Sequence, residues 1–204
     1  MFITLEGIEG AGKSTHGEYI TRMLLDHGHK VCFTREPGGT RTGEAIRNIL
    51  LHGRDMHIGD LTELTLIFAA RAQHLQEVIL PALEGHTIVV CDRFTDATYA
   101  YQGGGRGIPR EQIRPLEQLI QKGLSPDLTL LFDVGVEEGL ARAKHRSVAD
   151  RFEAETAAFF HRVRNAYLEI ARNDPDRVML IDANRKLDLI QADILSLFKE
   201  KKLC

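Results

Sequence analysis

The chain has 204 residues, 43% of them hydrophobic and 27% charged, and its 26 basic and 29 acidic residues give a formal net charge of −3. We expect a single domain over residues 1–204, which is long enough for a hydrophobic core. The slightly acidic balance argues against a general nucleic-acid-binding protein, and no apolar run reaches the roughly 20 residues of a membrane helix. We therefore expect neither a nucleic-acid partner nor a membrane partner.

The cysteines and the first residues predict a cytoplasmic location. Cys32, Cys91 and Cys204 are far apart and lack CxxC spacing, which is typical of reduced thiols. The N-terminus has no basic stretch followed by an apolar core, so no secretory signal is visible.

Short, almost continuously apolar runs predict the strands of a parallel sheet that is covered on both faces. We expect strands at 2–6, 31–35, 87–92, 128–133 and 178–182. Helical patterns between the strands are expected at 13–28, 42–52, 60–84, 110–123, 136–146, 153–173 and 186–200. This alternation of strands and helices predicts a three-layer α/β fold with a parallel sheet.

Ionisable residues stand at the end of each predicted strand. In open α/β sheets, ligands bind outside the carboxyl ends of the strands, so these residues indicate a binding site at that edge. The strand ends carry Glu6, Arg35-Glu36, Asp92-Arg93, Asp133 and Asp182.

Residues 7–14, GIEGAGKS, match the phosphate-loop pattern G-x-x-x-x-G-K-[ST], after a predicted strand and before a predicted helix. Glycines in such a loop allow turns that point backbone N–H groups at phosphate. Lys13 is expected to reach the β- and γ-phosphates, and the Ser14 hydroxyl to bind Mg²⁺. The predicted ATP-binding residues are Gly7, Ile8, Glu9, Gly10, Ala11, Gly12, Lys13, Ser14 and Thr15.

The helix predicted at 60–84 carries an arginine on its apolar face. Arg71 lies in the middle of a stripe formed by Leu61, Leu64, Ile67, Phe68, Leu75, Val78 and Ile79. Such an arginine could form a buried structural ion pair, extend to the edge of the stripe, or anchor a ligand in a pocket with apolar walls. The pocket is the favoured interpretation.

Two further strand ends carry arginines that suit anions. Arg35 lies in TREPGGT, residues 34–40, and Arg93 lies in DRF, residues 92–94. A strand-terminal aspartate in a phosphate-loop protein commonly serves the magnesium site, so Asp92 is the second predicted metal residue. Arg93 could then bind an acceptor phosphate through two hydrogen bonds.

Taken together, these motifs resemble those of the thymidylate kinase family. The matching segments are GIEGAGKS at 7–14, TREPGGT at 34–40, FAAR at 68–71, DRF at 92–94, AYQGGGRG at 100–107, SPDLTLLFDV at 125–134 and DRFE at 150–153. The resemblance implies a phosphate-loop nucleoside monophosphate kinase fold with a five-stranded parallel sheet and a mobile lid, here about 142–152. It also implies a homodimer that uses ATP and Mg²⁺ to phosphorylate dTMP.

The resemblance implies roles for individual residues. Lys13 and Ser14 would hold ATP phosphates and magnesium, and Arg35 and Arg93 would hold the dTMP phosphate. Arg71 would hydrogen-bond the thymine ring, which explains an arginine in an apolar stripe.

The nucleoside pocket would include Thr98, Tyr101 and Gln102, with Tyr101 pressing on the deoxyribose. Family members often carry an aromatic residue four positions before the thymine-binding arginine, where it stacks on the base. Ile67 occupies that position here, so either Phe68 stacks on the base or Ile67 packs flat against it.

The resemblance also implies where the remaining charges act. Glu9 would point away from ATP, toward the 3′-hydroxyl of dTMP or toward water and magnesium nearby. The phosphate loop lacks an arginine, and the family members without one carry a catalytic arginine in the lid. Arg146 is the predicted lid arginine, with Arg151 as support and Arg142 in reserve.

Two other functions remain open on the sequence. The nearest is a phosphate-loop kinase for another nucleoside monophosphate or for a deoxynucleoside. An ATP-binding regulatory protein without turnover belongs to a different class and ranks lower, because the chain offers no additional interaction domain. The predicted catalytic residues are Lys13, Arg93, Arg146 and Arg151.

Overall fold

A computed structural model describes residues 1–52, 56–144 and 151–204. Its sheet has five parallel strands in the order β2-β3-β1-β4-β5. The predicted strands are confirmed, with only the third starting one residue later than expected. They are β1 Phe2–Glu6, β2 Val31–Arg35, β3 Ile88–Asp92, β4 Leu128–Asp133 and β5 Val178–Asp182.

The position of each strand in the sheet follows from its apolar content. All five residues of β1 are buried, as are all but the last residues of β3 and β4. β2 and β5 form the edges and are only partly buried. An uninterrupted apolar run is stable where helices cover both faces of a parallel strand.

The strand order concentrates ligand-binding groups at the carboxyl end of β1. From β1 the chain moves to one side of the sheet for β2 and β3, and then to the other side for β4 and β5. A crevice forms where the order of strands reverses, and ligands of open α/β sheets bind there. The phosphate loop follows β1 directly at this point.

Helices flank the sheet where they were predicted, except in two segments that are π-helical. The predicted helix at 60–84 is α-helical at both ends and π-helical in between. The helices are α1 Lys13–Asp26, α2 Arg41–His52, α3 Asp60–His74, π1 Leu75–Ile79, α4 Leu80–Glu84, α5 Thr95–Thr98, π2 Tyr99–Gly105, α6 Arg110–Gln121, α7 Val136–Lys144, α8 Ala157–Asn173 and α9 Leu187–Glu200. None of the helices among the described residues is long and apolar enough to cross a membrane.

Helices α5 and π2 were not predicted, because α5 has only four residues and the glycines of π2 disfavour helix in isolation. Close packing of π2 on α8 explains why π2 forms. A Cβ atom added to Gly105 would lie 2.5 Å from the Phe159 ring, and one added to Gly104 would lie 2.6 Å from the Ala166 Cβ. The glycines therefore allow a contact between helices that larger residues would block.

Candidate active site

The phosphate loop depends on glycine where the backbone meets its neighbours. Gly10 has a φ of +73°, and a Cβ atom there would lie 1.9 Å from the carbonyl oxygen of Gly139. The loop leads into α1, whose first residue is Lys13. The Lys13 ammonium donates to the carbonyl oxygens of Gly7 and Ile8, each at 2.9 Å, so it lies against the loop that it serves.

Keeping a positive charge on the buried Lys13 costs free energy. Burial, followed by the nearby charge of Arg93, lowers the pKa of Lys13 to about 8. Two cations held together in a buried site favour the arrival of an anion, because the anion offsets both the desolvation and the mutual repulsion. The site is therefore suited to phosphate.

The two predicted metal residues are adjacent. The Ser14 hydroxyl donates to Asp92 Oδ2 at 3.2 Å. The other carboxylate oxygen, Asp92 Oδ1, is buried and has no hydrogen-bond partner among the described residues. A buried anionic oxygen without a partner fits a cation, and hydroxyl and carboxylate oxygens are the ligands that Mg²⁺ prefers. These residues fit a magnesium ion.

The glutamate of the phosphate loop points away from the loop. Its Oε1 accepts from Arg93 Nη2 at 2.9 Å, and its Oε2 accepts from the Tyr101 hydroxyl at 2.6 Å. Arg93 also lies 4.7 Å from the centre of the Tyr101 ring and donates to the Tyr167 hydroxyl at 3.3 Å. Glu9 therefore links the phosphate loop to groups that follow β3.

A cavity of about 310 Å³ opens beside the loop. It brings together most of the predicted site residues: Glu9, Gly10, Lys13, Ser14, Arg35, Arg71, Asp92, Arg93, Thr98, Tyr101 and Gln102. It also includes residues that had no predicted role, namely Glu36, Pro37, Arg47, Leu50, Leu51, Phe94, Ala97, Phe152 and Glu153. Of these, five lie inside motifs already recognised, and their place in TREPGGT, DRF and DRFE was the available signal: Glu36, Pro37, Phe94, Phe152 and Glu153.

Arg71 is both a structural ion pair and a wall of the cavity. Its side chain is only 1% exposed, and its Nε donates to Glu36 Oε2 at 2.7 Å. Its Nη2 donates to the Phe94 carbonyl and to the Thr98 hydroxyl, each at 3.0 Å. Its Nη1 is buried without a hydrogen-bond partner in the part of the chain that the structure describes. The buried ion pair is therefore confirmed, and the anchoring of a ligand by Arg71 stays a prediction that its place at the cavity wall allows.

The prediction that Phe68 stacks on the base is not supported. Phe68 is buried in a cluster with Leu64, Ile108 and Ile113, whereas Ile67 lines the cavity. The Phe68 ring instead lies 4.9 Å from the guanidinium carbon of Arg71. Successive residues of a helix point in directions about 100° apart, and here that difference places Phe68 in the cluster and Ile67 at the cavity.

The remaining predicted residues lie at the rim or deeper in the fold. The Arg35 side chain is 54% exposed and forms an ion pair with Glu44 at 3.1 Å. Gln102 is buried and donates to Glu63 Oε1 at 2.8 Å. Ile8, Ala11 and Gly7 belong to the loop backbone, while Gly12 precedes α1 and Thr15 lies in its first turn.

The three arginines predicted near the lid have different places. Arg151 donates to the Leu50 carbonyl at 2.8 Å and pairs with the buried Glu63, which does not support its predicted catalytic role. Arg142 donates to the Ala183 carbonyl at 2.9 Å and to Glu138. Arg146 lies outside the described residues, as does most of the predicted lid.

The fold and site define a class of protein. A parallel sheet in this order, a phosphate loop after its central strand, and arginines around an adjoining cavity are the parts of a phosphate-loop kinase that acts on a nucleotide. The family model for thymidylate kinase matches residues 5–194. The chain belongs to the thymidylate kinase family.

Relatives agree over almost the whole chain. A curated thymidylate kinase of Pseudomonas putida (strain GB-1) is 57% identical over 194 residues, which cover 95% of this chain and 92% of the relative. Another, from Pseudomonas syringae pv. tomato (strain ATCC BAA-871 / DC3000), is 55% identical over 200 residues, covering 98% and 95%. A solved structure of thymidylate kinase from Ehrlichia chaffeensis has a TM-score of 0.78 at 34% identity and covers 98% of each chain.

Proposed function

We propose that this protein transfers the γ-phosphate of ATP to dTMP, which gives dTDP and ADP and supplies dTTP synthesis. Family membership supports this reaction. The observation that carries the choice of acceptor is the Arg71 guanidinium, which lines the cavity with its Nη1 unpaired among the described residues.

The unpaired donor selects the base. Nη1 carries two N–H groups and accepts nothing, so its partner in the cavity has to be an acceptor. Thymine offers a carbonyl oxygen where cytosine offers an amino group. With cytosine the buried donor stays unpaired, at a cost of about 1–3 kcal/mol, which corresponds to roughly 5- to 150-fold discrimination. Ile67 gives the cavity an apolar wall for the ring.

The acceptor phosphate binds to arginines at the strand ends. Arg93 and Arg35 both line the cavity, and Arg93 lies nearer to the phosphate loop because it pairs with Glu9. Glu9 accepts a hydrogen bond from the 3′-hydroxyl of dTMP in our proposal. Tyr101, which is held by Glu9, packs against the deoxyribose and disfavours a 2′-hydroxyl.

Lys13 and the loop N–H groups hold the phosphates of ATP, and Ser14 and Asp92 hold Mg²⁺. When bound, the magnesium ion neutralises charge on the β- and γ-phosphates. The protein has little covalent chemistry to perform in phosphoryl transfer, so its residues mainly position the two nucleotides and balance charge. Arg146 supplies a further positive charge from the lid. We also propose a homodimer and a cytoplasmic location, and three free cysteines accord with the latter.

The test is ADP release by the purified protein with Mg-ATP and a panel of dTMP, dUMP, UMP, dCMP, AMP and GMP. We expect strong preference for dTMP. Faster turnover with dCMP would retain the kinase and overturn the role of Arg71, whereas faster turnover with UMP would overturn the role of Tyr101 against a 2′-hydroxyl. ATP binding without any acceptor-dependent release would move the protein to the regulatory class.

A further inference from the structure

Arg71 is held by a carboxylate that is itself held from behind. Glu36 accepts from Arg71 Nε through one oxygen, at 2.7 Å, and from His74 Nδ1 through the other, at 3.0 Å. His74 Nε2 lies 2.6 Å from the Thr34 hydroxyl. The bonds form a chain that runs from the cavity wall to the edge strand β2, Arg71 to Glu36 to His74 to Thr34, and the His74 side chain is 0% exposed.

We infer that His74 is a positioning residue for base recognition, since its hydrogen bond to Glu36 fixes the carboxylate that aims Arg71 into the cavity. The inference rests on the proposed function, because the group being aimed is the one that selects the base. A carboxylate only accepts hydrogen bonds, so the shared proton belongs to His74 Nδ1. The ring then bonds to Thr34 through its other nitrogen.

The geometry makes Glu36 decisive for the direction of the guanidinium. A guanidinium is planar and rigid, so fixing Nε and Nη2 also fixes Nη1. Nη2 is fixed by the Phe94 carbonyl and Thr98, whereas Glu36 is the one partner of Nε within residues 1–52, 56–144 and 151–204. If the Glu36 carboxylate were free to rotate, the Arg71 guanidinium could tilt and Nη1 would no longer point into the cavity. The unpaired donor would then not reach the base.

The glycine pair of TREPGGT provides the space for this arrangement. Gly39 has a φ of +77°, and a Cβ atom there would lie 2.5 Å from His74 Nε2 and 2.7 Å from the Thr34 hydroxyl oxygen. Any larger residue would displace the ring from its second partner. This explains a motif position for which nucleotide binding by itself gives no reason.

Two substitutions of His74 separate positioning from packing. In His74→Asn, the amide nitrogen takes the place of Nδ1 and can still donate to Glu36. In His74→Gln, the amide nitrogen takes the place of Nε2 and reaches only Thr34. The exposed Gln76, two residues along in π1, provides the control Gln76→Ala.

We expect His74→Gln to raise the KM for dTMP about tenfold and to narrow the preference for dTMP over dCMP, with the KM for ATP unchanged. His74→Asn should restore both values to near those of the wild type. Steady-state kinetics and thermal unfolding are measured on all three variants. Equal KM values for dTMP in the wild type and His74→Gln, or an equal rise in the Gln and Asn variants, would overturn the inference.

If His74→Gln does not fold, Thr34→Val tests the same chain by removing only the far hydrogen bond of the ring. We expect a rise of about threefold in the KM for dTMP, and no rise would overturn the inference. A wild-type protein that fails to phosphorylate dTMP would instead overturn the proposed function. The two failures are therefore distinguishable in one set of assays.

Discussion

The phosphate loop and the base pocket are built in opposite ways. The loop, residues 7–14, is one continuous stretch that binds through backbone groups and a single lysine. The base pocket, which we define as Glu36, Ile67, Arg71, Phe94 and Thr98, draws on segments that follow β2, form α3 and follow β3. In the proposed function, binding of triphosphate is therefore a local property, whereas choice of base depends on tertiary contacts.

The largest effect should come from the loop. Lys13→Ala removes the ammonium that neutralises phosphate charge, and we expect kcat to fall on the order of 10³-fold with every acceptor. Lys30→Ala removes an exposed lysine and serves as the control. If the fall in kcat differed between acceptor bases, the loop and the base pocket would not act independently.

Arg146, the predicted lid arginine, is part of neither the phosphate loop nor the base pocket. Arg146→Ala should lower kcat on the order of 10²-fold, the scale for loss of one donor to the transition state. Arg142→Ala is the matched comparison, because Arg142 already donates to the Ala183 carbonyl, and its kcat should remain near that of the wild type. A normal kcat for the Arg146 variant would transfer the role to Arg151 or Arg142.

In the base pocket, Arg71→Lys keeps the charge but cannot replace the bonds to Glu36, Phe94 and Thr98 as well as the bond to the base. We expect kcat/KM for dTMP to fall on the order of 10²-fold while the KM for ATP stays the same. The exposed Arg114→Lys is the control. An equal rise in the KM for dTMP and the KM for ATP would show that the base pocket and the phosphate loop do not act independently.

Glu9 joins the two regions through its hydrogen bonds, and its effect on catalysis should be smaller than those of Lys13 and Arg71. Glu9→Gln weakens the ion pair with Arg93 and the acceptor for Tyr101, and we expect kcat/KM for dTMP to fall about tenfold. The kcat/KM for ATP, measured at a fixed concentration of dTMP, should change less. Unchanged kinetics for dTMP would contradict a role of this carboxylate toward the acceptor.

The last effect concerns stability and pH rather than catalysis. Burial, followed by the charge of Asp96, raises the pKa of Glu6 to about 7, while bonds from Tyr167 and Phe94 N–H and the charge of Arg93 act the other way. The folded state therefore keeps this proton to higher pH than the unfolded state, and the free energy of unfolding falls as pH rises from about 4.5 to about 7.

Glu6→Gln should remove this pH dependence. Relative to the variant, the wild type should lose up to about 3 kcal/mol of unfolding free energy between about pH 4.5 and pH 8. Urea unfolding at the two pH values measures the difference. Parallel changes in both proteins would exclude Glu6 as the titrating group.

The core strands and the phosphate loop could be predicted because their signals are local. A strand buried on both faces is an apolar run, and the glycines of the loop reflect backbone angles that its own residues need. Arg71 also stood out, since a cation in an apolar stripe requires a partner. The sequence did not indicate that the partner would be Glu36, because the two residues meet only after β2 and α3 pack together.

Other features were decided by tertiary structure. Phe68 faces a cluster away from the cavity and Ile67 faces into it, a difference of one position that depends on how α3 rotates against its neighbours. Asp96 pairs at 2.7 Å with Arg177, a partner distant in sequence that only the fold brings close. Arg151 likewise met Glu63 through folding.

The sequence alone thus determined which apolar runs form strands, where the phosphate loop lies and which kinds of charge are available at the sheet edge. The tertiary structure alone decided which charges became partners and which remained for the ligand. The physical reason is range: backbone conformation and periodicity act between neighbours in the chain, whereas buried hydrogen bonds are satisfied by whatever the fold brings close.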